Sequence, residues 1–283
     1  MTAARNVPDI LSQEFAENPY PTYRALRESE PLVWHEATQS YLISRYEDVA
    51  RAFKDKESLF TTDNYAWQAE PVHGKTILQM SGREHSTRRA LVAPAFRGNE
   101  LREKVVPVIE RNARELIDAF RDVGSVDLVS GFASHFQDRG LIDRAFAETL
   151  RYSPPVHMIM RQAAADVPVS GGTIPAGATV TCLIGAANRD PGRYEDPDRF
   201  DIFRTDLTAT TAFSAAADHL AFALGRHFCV GALLARAEVE IATNQLLDAM
   251  PDIRPTEGYD PAEQGVFTRG PRSLLVEFTP AGR

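Results

Sequence analysis

Ten residues, Phe222-Ala-Leu-Gly-Arg-His-Phe-Cys229-Val-Gly231, constrain this chain more than any other stretch. Cys229 is one of 2 cysteines among 283 residues, and Gly225 and Gly231 frame it. Behind it, apolar residues recur at Val230, Leu233, Leu234, Ala237 and Ile241, the spacing of an amphipathic helix. The sequence therefore presents a cysteine from a glycine-framed loop at a helix start, where free N–H groups and partial positive charge favour a thiolate. Gly225 and Gly231 are open to backbone angles that side chains forbid, and they leave room for a bulky planar group. Phe222 and Phe228 are placed to pack around the sulfur, and Arg226 and His227 to meet carboxylates.

Spacing alone leaves several chemistries open. A lone cysteine is usually a small buried apolar residue. Zinc takes about four ligands, and no C-x-x-C or H-x-x-x-H partner is present. A disulfide with Cys182 requires an oxidising compartment. Haem iron needs only one axial protein ligand, and cysteine is among the known choices.

The segment resembles the haem-binding loop of the cytochrome P450 family, F-x-x-G-x-x-x-C-x-G, met here by Phe222, Gly225, Cys229 and Gly231. The family often has a second glycine where Ala223 stands. The resemblance implies that Cys229 ligates the iron of haem b and that Phe222, Gly225 and Gly231 shape its bed.

Other segments agree. A helix is expected from about Asp138 to Tyr152, stopped by Pro154 and Pro155. Within it Glu148 and Arg151 share a face. By itself that pair reads as a surface ion pair of little consequence. Downstream, Pro197-Asp-Arg199-Phe200 resembles the family's P-E-R-F, and Ala187-Asn-Arg-Asp-Pro191 matches the pattern ahead of it. The resemblance implies a buried network of Glu148, Arg151 and Arg199 behind the cysteine loop. A further helix, about Arg83 to Phe96, carries His85 and Arg89 on one face, which spacing reads as a solvated basic surface. The resemblance makes both of them haem-propionate ligands, with Arg161 and His227 as the third and fourth.

At 43% hydrophobic and 25% charged residues, the composition is that of an ordinary globular protein. A net charge of −8 argues against a nucleic-acid binder. Arg88, Arg97, Arg102 and Lys104 nevertheless cluster. The resemblance implies that a ferredoxin or reductase docks there; the plainer reading is a solvated helix face. Residues Met1 to Glu17 show neither signal peptide nor membrane anchor, so a cytoplasmic protein is expected.

The expected fold is α+β, mostly helical, and P450-like but internally truncated. One haem domain, 1–283, joins an N-terminal segment, residues 1–137, to a C-terminal segment, residues 138–283. A full bacterial member is longer by on the order of a hundred residues, the absent stretch being the family's E to J helices. With them goes the I helix, whose acid–alcohol pair delivers protons to oxygen, so no catalytic residue is identified. The stretch Thr61 to Met80 lacks periodicity and corresponds to the B–C loop. Tyr65 and Trp67, with Val156 and Met158, are the remaining candidates for a substrate pocket.

The expected function is a haem-thiolate oxidoreductase inserting oxygen into a small apolar or amphipathic organic substrate, with peroxide-driven turnover open. Alternatives are a haem-binding sensor or partner subunit without monooxygenase turnover, and an inactive deletion product.

Overall fold

The computed structural model describes residues 8–128, 141–250 and 252–280. Helix α1 (Gln13–Glu17) begins at Ser12, whose Oγ accepts a hydrogen bond from the Phe15 N–H at 3.1 Å. Helix α2 (Tyr20–Ser29) leads into strands β1 (Leu32–His35) and β2 (Ser40–Ile43). Helix α3 (Tyr46–Lys54) carries Glu47 and Asp48 in its first turn and Arg51 and Lys54 in its last, as the helix dipole favours. After β3 (Phe60–Thr61), the stretch without periodicity forms short turns: α4 (Tyr65–Gln68), α5 (Glu70–His73) and a 3-10 turn at Ile77–Gln79.

The helix expected over about Arg83 to Phe96 is interrupted, and so is the one that follows it. Helix α6 (Gly82–Val92) tightens into a 3-10 turn at Ala93–Phe96, where Pro94 offers no N–H. Helix α7 (Gly98–Glu100) passes through a π turn, Leu101–Val105, into α8 (Val106–Asp118). That wider turn lies just ahead of Pro107, which likewise lacks a donor. Strand β4 (Ser125–Asp127) closes this N-terminal segment.

Helix α9 (Ile142–Tyr152) opens the C-terminal segment; Asp138, its expected start, lies outside the described residues. Strands β5 (Met158–Ala163), β6 (Val167–Val169), β7 (Gly172–Ile174) and β8 (Thr179–Leu183) follow. Then come α10 (Ile184–Ala187), a long irregular stretch, and α11 (Ala232–Ala249). The tail holds β9 (Arg254–Pro255), β10 (Glu263–Gln264), β11 (Gly270–Pro271) and β12 (Leu275–Glu277).

The main sheet has the order β1-β2-β8-β5-β3, so strands from both segments interleave within it. Only β2 and β8 run parallel, with Tyr41 opposite Val180. All five residues of β8 are buried, as suits a central strand covered on both faces. One core cluster packs α3 residues Val49 and Phe53 with Val180 and Cys182. The other packs α2 residues Tyr23 and Leu26 with Leu42, Met158 and Leu183. Met158 itself is buried in this second cluster, so it is a core residue and not a wall of an open pocket, contrary to the sequence expectation.

Arg151 uses all five guanidinium donors. Nε and Nη2 grip the Glu148 carboxylate at 2.7 and 2.8 Å. Nη1 donates to the carbonyls of Asn188 and Pro197, and Nη2 also to that of Arg199. Both Glu148 and Arg151 side chains are 0% exposed. The third charged member is Arg204, whose Nε lies 3.1 Å from Glu148 Oε2. Arg199, expected in that role, supplies only its carbonyl. Its guanidinium is 70% exposed and lies 3.6 Å from Asp201.

The cysteine loop crosses the end of α3 at Gly225. There φ is +69°, and a Cβ would stand 2.6 Å from the Phe53 carbonyl oxygen and 3.0 Å from Lys54 Cα. Gly225 therefore admits the α3 backbone, not a planar ligand. Ala223, where the family often has glycine, has φ +55°, which accounts for that preference.

Two histidines are buried neutral. His157 accepts or donates one bond, Nδ1 to Tyr23 Oη at 3.1 Å, while its Nε2 has no partner. Burial, then Arg269 and Arg189, push its pKa down to about 3. Burial likewise pushes His219 down to about 4, and its Nε2 is also unpartnered.

Breaking the network from inside, by Glu148→Gln or Arg151→Met, should cost about 3–5 kcal/mol in urea unfolding because a charge is left buried and unpaired. Arg199→Ala should change stability by about 0.5 kcal/mol or less in the same measurement, as an exposed side chain does. Stability should fall as pH drops from about 6.5 towards 4, because the unfolded histidines take up protons that the folded ones refuse. Each contributes up to about 1.4 kcal/mol per pH unit. His157→Gln should flatten the slope of the urea midpoint against pH, whatever it does to absolute stability; an unchanged slope contradicts the assignment.

Candidate functional site

Cys229 sits just ahead of α11, whose first helical residue is Ala232, so it precedes the helix instead of lying in its first turn. Its side chain is exposed. The loop folds back on itself: the Cys229 N–H donates to the Phe222 carbonyl at 2.9 Å, and the Phe228 N–H to that of Gly225 at 3.2 Å. Phe222 and Phe228 meet edge to face, 6.3 Å between centroids. Gly231 has φ −86°, open to any residue. A Cβ there would stand 3.8 Å from Cys229 Sγ, so glycine keeps free the space beside the sulfur.

Helix α6 meets this loop through one face. The His85 and His227 rings lie 4.4 Å apart, and Arg89 Nη2 donates to the Phe228 carbonyl at 2.6 Å. Arg161 reaches the same region from β5. Its guanidinium stands 5.1 Å over the Phe53 ring and donates to the Met160 carbonyl at 2.8 Å. Tyr65 on α4 lies close enough to Arg161 to feel its charge; burial raises the Tyr65 pKa and Arg161 opposes the rise. Burial, then Arg161, His85, Arg226 and Arg89, push the His227 pKa down to about 4. Burial, Arg89 and Arg226 lower that of His85.

The structure thus brings together Cys229, Phe222, Gly231, His85, Arg89, Arg161, His227 and Tyr65. Every charged group acting on His227 is basic. Among the described residues neither Arg89 nor Arg161 has a carboxylate partner. One exposed thiol beside a cluster of cations without anions is the donor set that a metal porphyrin with two carboxylates requires, so these residues fit haem on the cysteine side. The described residues hold no cluster of three or more His, Cys, Asp or Glu for a metal ion, which leaves zinc without ligands there. Both cysteines are free; Cys182 is core, and burial pushes its thiol up to about 12.

Other candidates fall elsewhere. Trp67 is 57% exposed. Val156 bridges to Thr268 and packs against the main core. Of the basic cluster, Arg88, Arg97 and Arg102 are exposed, while Lys104 pairs with Glu100 at 2.7 Å. Two surface cavities of 360 and 420 Å³ flank α3, and neither touches the loop. Sequence reasoning misses Phe53 beneath Arg161, for which no signal exists, and Asn188. The latter lies in plain view within the matched Ala187–Pro191 motif. Its Oδ1 accepts from Leu220 N–H at 2.9 Å, tethering the approach to the loop.

Comparison with known proteins accounts for these features together. The cytochrome P450 family profile matches residues 13–130 and 132–250, breaking near the expected junction at Gln137, which itself lies outside the described residues. Pulcherriminic acid synthase of Bacillus subtilis (strain 168) is 32% identical over 395 aligned positions, covering 95% of this chain and 97% of that one. An alignment of that length against 283 residues leaves more than a hundred positions of the relative without a counterpart. The match to cytochrome P450 107B1 of Saccharopolyspora erythraea is local: 48% identity over 142 residues, 49% of this chain and 33% of that one. The solved structure of a Chondromyces apiculatus cytochrome P450 superposes with a TM-score of 0.81 at 22% identity, over 97% of this chain and 98% of that one. Among the described residues no helix is long and apolar enough to cross a membrane. The α+β fold and the family match make this chain a member of the cytochrome P450 family, the haem-thiolate oxidoreductases whose cofactor is haem b, in a form shortened internally.

Proposed function

We propose that Cys229 is the axial thiolate of haem b, with His85, Arg89, Arg161 and His227 receiving its carboxylates. The observation that carries this reading is the exposed Cys229 thiol set beside basic side chains that lack anionic partners. When bound, haem with a thiolate ligand supplies oxidising chemistry by favouring O–O cleavage. The chain's own residues do the rest. The Phe222 carbonyl holds the Cys229 amide and so the direction of the sulfur. Phe222 and Phe228 pack edge to face along one flank of the loop. Gly231 leaves the neighbouring space clear, and Phe53 supports Arg161 from below.

The substrate in this reading is a small apolar or amphipathic organic molecule, approached by Tyr65 and Trp67 from the α4 segment. Val156 is a more distant contributor. A cytoplasmic setting with electrons from a ferredoxin or reductase at Arg88, Arg97 and Arg102 completes it. The second reading, haem binding without monooxygenase turnover, is favoured by one feature: the adjacent acid–threonine pair on a described helix, Glu148–Thr149 on α9, has its acid committed to Arg151 and Arg204 and is not free to relay protons. Positioned proton transfer contributes typically about 10²–10⁴-fold. Turnover driven by peroxide, which brings its own protons and electrons, should therefore exceed reductase-driven turnover.

The test begins with the purified protein, supplied with haem, reduced and exposed to carbon monoxide. A thiolate-type Soret band is expected, and Cys229→Ala should abolish it. A variant spectrum identical to the wild type overturns the ligand assignment, and a featureless wild type overturns haem binding. Product formation with peroxide about a hundredfold faster than with reductase and dioxygen would mark the lost relay. Absence of product under both regimes, with the band intact, establishes the second reading.

A further inference from the structure

Arg89 does more in this chain than face a haem carboxylate. Its Nη2 donates to the Phe228 carbonyl at 2.6 Å. The Cys229 N–H donates to the Phe222 carbonyl at 2.9 Å. Those two groups, the Phe228 C=O and the Cys229 N–H, belong to the same peptide unit. A peptide unit is planar, so anchoring it at both ends fixes its plane and the N–Cα bond from which the Cys229 side chain departs, leaving only φ and χ1 to aim the sulfur. The carbonyl anchor is charge-assisted, the stronger kind of hydrogen bond.

The rest of α6 shows how selective this contact is. His85 is its buried residue and Arg89 is half-buried, while the surrounding α6 positions are largely exposed. His85 and Arg89 are one helical turn apart, and both bear on the loop: one against the His227 ring, the other on the Phe228 carbonyl. A guanidinium has five donors. Among the described residues Arg89 makes this one hydrogen bond and no ion pair, which leaves donors over for a carboxylate. Arg161 differs: its described hydrogen bond runs to the Met160 carbonyl, with none to the 222–229 loop.

We infer that Arg89 is a positioning residue for the Cys229 sulfur: it clamps the Phe228–Cys229 peptide and couples that clamp to the occupancy of the carboxylate site. This rests on the haem-thiolate reading for its second half, whereas the clamp itself needs no haem. Lysine at this position supplies a charged donor for the carbonyl but no fork to span two acceptors. Glutamine supplies a neutral, shorter donor.

The test compares Arg89→Gln, Arg89→Lys and Arg161→Gln in the full chain. In haem-free protein, hydrogen exchange of the Cys229 amide should quicken about tenfold in Arg89→Gln, return to within about threefold of wild type in Arg89→Lys, and stay unchanged in Arg161→Gln. With haem supplied, both glutamine variants should bind it about tenfold more weakly. Only Arg89→Gln should convert part of the ferrous carbon monoxide complex to a form without the thiolate signature. Unchanged Cys229 exchange in Arg89→Gln overturns the clamp. Equal loss of affinity in the two glutamine variants with the thiolate signature kept in both reduces Arg89 to a carboxylate ligand and overturns the coupling. A wild type without the thiolate band defeats the haem reading and the coupling with it, while the exchange arm still decides the clamp.

Discussion

The Arg151 guanidinium is the constraint on which the cysteine side of this molecule depends. Five donors meet five acceptors: two oxygens of Glu148 and the carbonyls of Asn188, Pro197 and Arg199. A fully buried arginine is tolerable only when every donor is satisfied, because each unmet one carries its desolvation cost. Satisfaction here requires separate stretches of chain to converge on α9. One of them continues the linkage. Asn188 gives its carbonyl to Arg151, its Nδ2–H to the Leu150 carbonyl and its Oδ1 to the Leu220 N–H. Leu220 in turn accepts from Ala223 at 2.9 Å, at the base of the loop that carries Cys229. The irregular stretch between α10 and the loop, which has little regular structure of its own, is thereby given one path.

How much of this is legible in the sequence follows from what each feature depends on. The cysteine loop and the Glu148–Arg151 pair are readable because both are local: fixed spacings within one loop and one helix turn. Arg199 and Arg204 are not distinguishable, because which of two arginines five residues apart turns inward depends on how the 197–206 segment curls over Glu148. Gly225 reads as space for a ligand when only the loop is considered. Its positive φ and the approach of the Phe53 carbonyl exist only once α3 is docked. Met158 is misread because its neighbours in the core, Tyr23 and Leu26 of α2, are brought to it only once α2 docks on the sheet. Arg89 falls on the correct helix face by its spacing from His85, but a side chain's bond to a backbone carbonyl 139 residues later leaves no pattern in a sequence.

The internal shortening has a visible physical counterpart. Leu91 is 73% exposed and Leu116 68% exposed, on α6 and α8 respectively. Helix α11 is rich in apolar residues, yet only Ala232 and Thr243 along it are buried. Its described contacts run to α8 and α9, through Gln245 on the Glu110 carbonyl and Arg236 on Asp143. Leu246 and Leu247 also pack against Leu274 and Phe278 of the tail, whereas Leu233 near the start of α11 is 39% exposed. The relative aligned over 395 positions carries more than a hundred residues for which this chain has none.

The two sides of the proposed haem site therefore have separate structural origins. The sheet, α9, α6 and the Asn188 linkage hold the cysteine loop, and all of them lie in the segments that match the family. Because the N-terminal and C-terminal segments interleave as β2-β8-β5-β3, joining them at a shortened connection leaves every strand pairing of that sheet intact. Apolar helix surface stands exposed at Leu91 and Leu116, while the ladder that positions Arg161 and Cys182 is intact. A thiolate bed of this construction keeps its geometry from backbone hydrogen bonds and one buried arginine. Proton delivery to the opposite side, by contrast, needs an acid and an alcohol held on a neighbouring helix. In the proposed reading ligation and turnover are thus separable, because every group that holds the cysteine loop lies in the segments retained here.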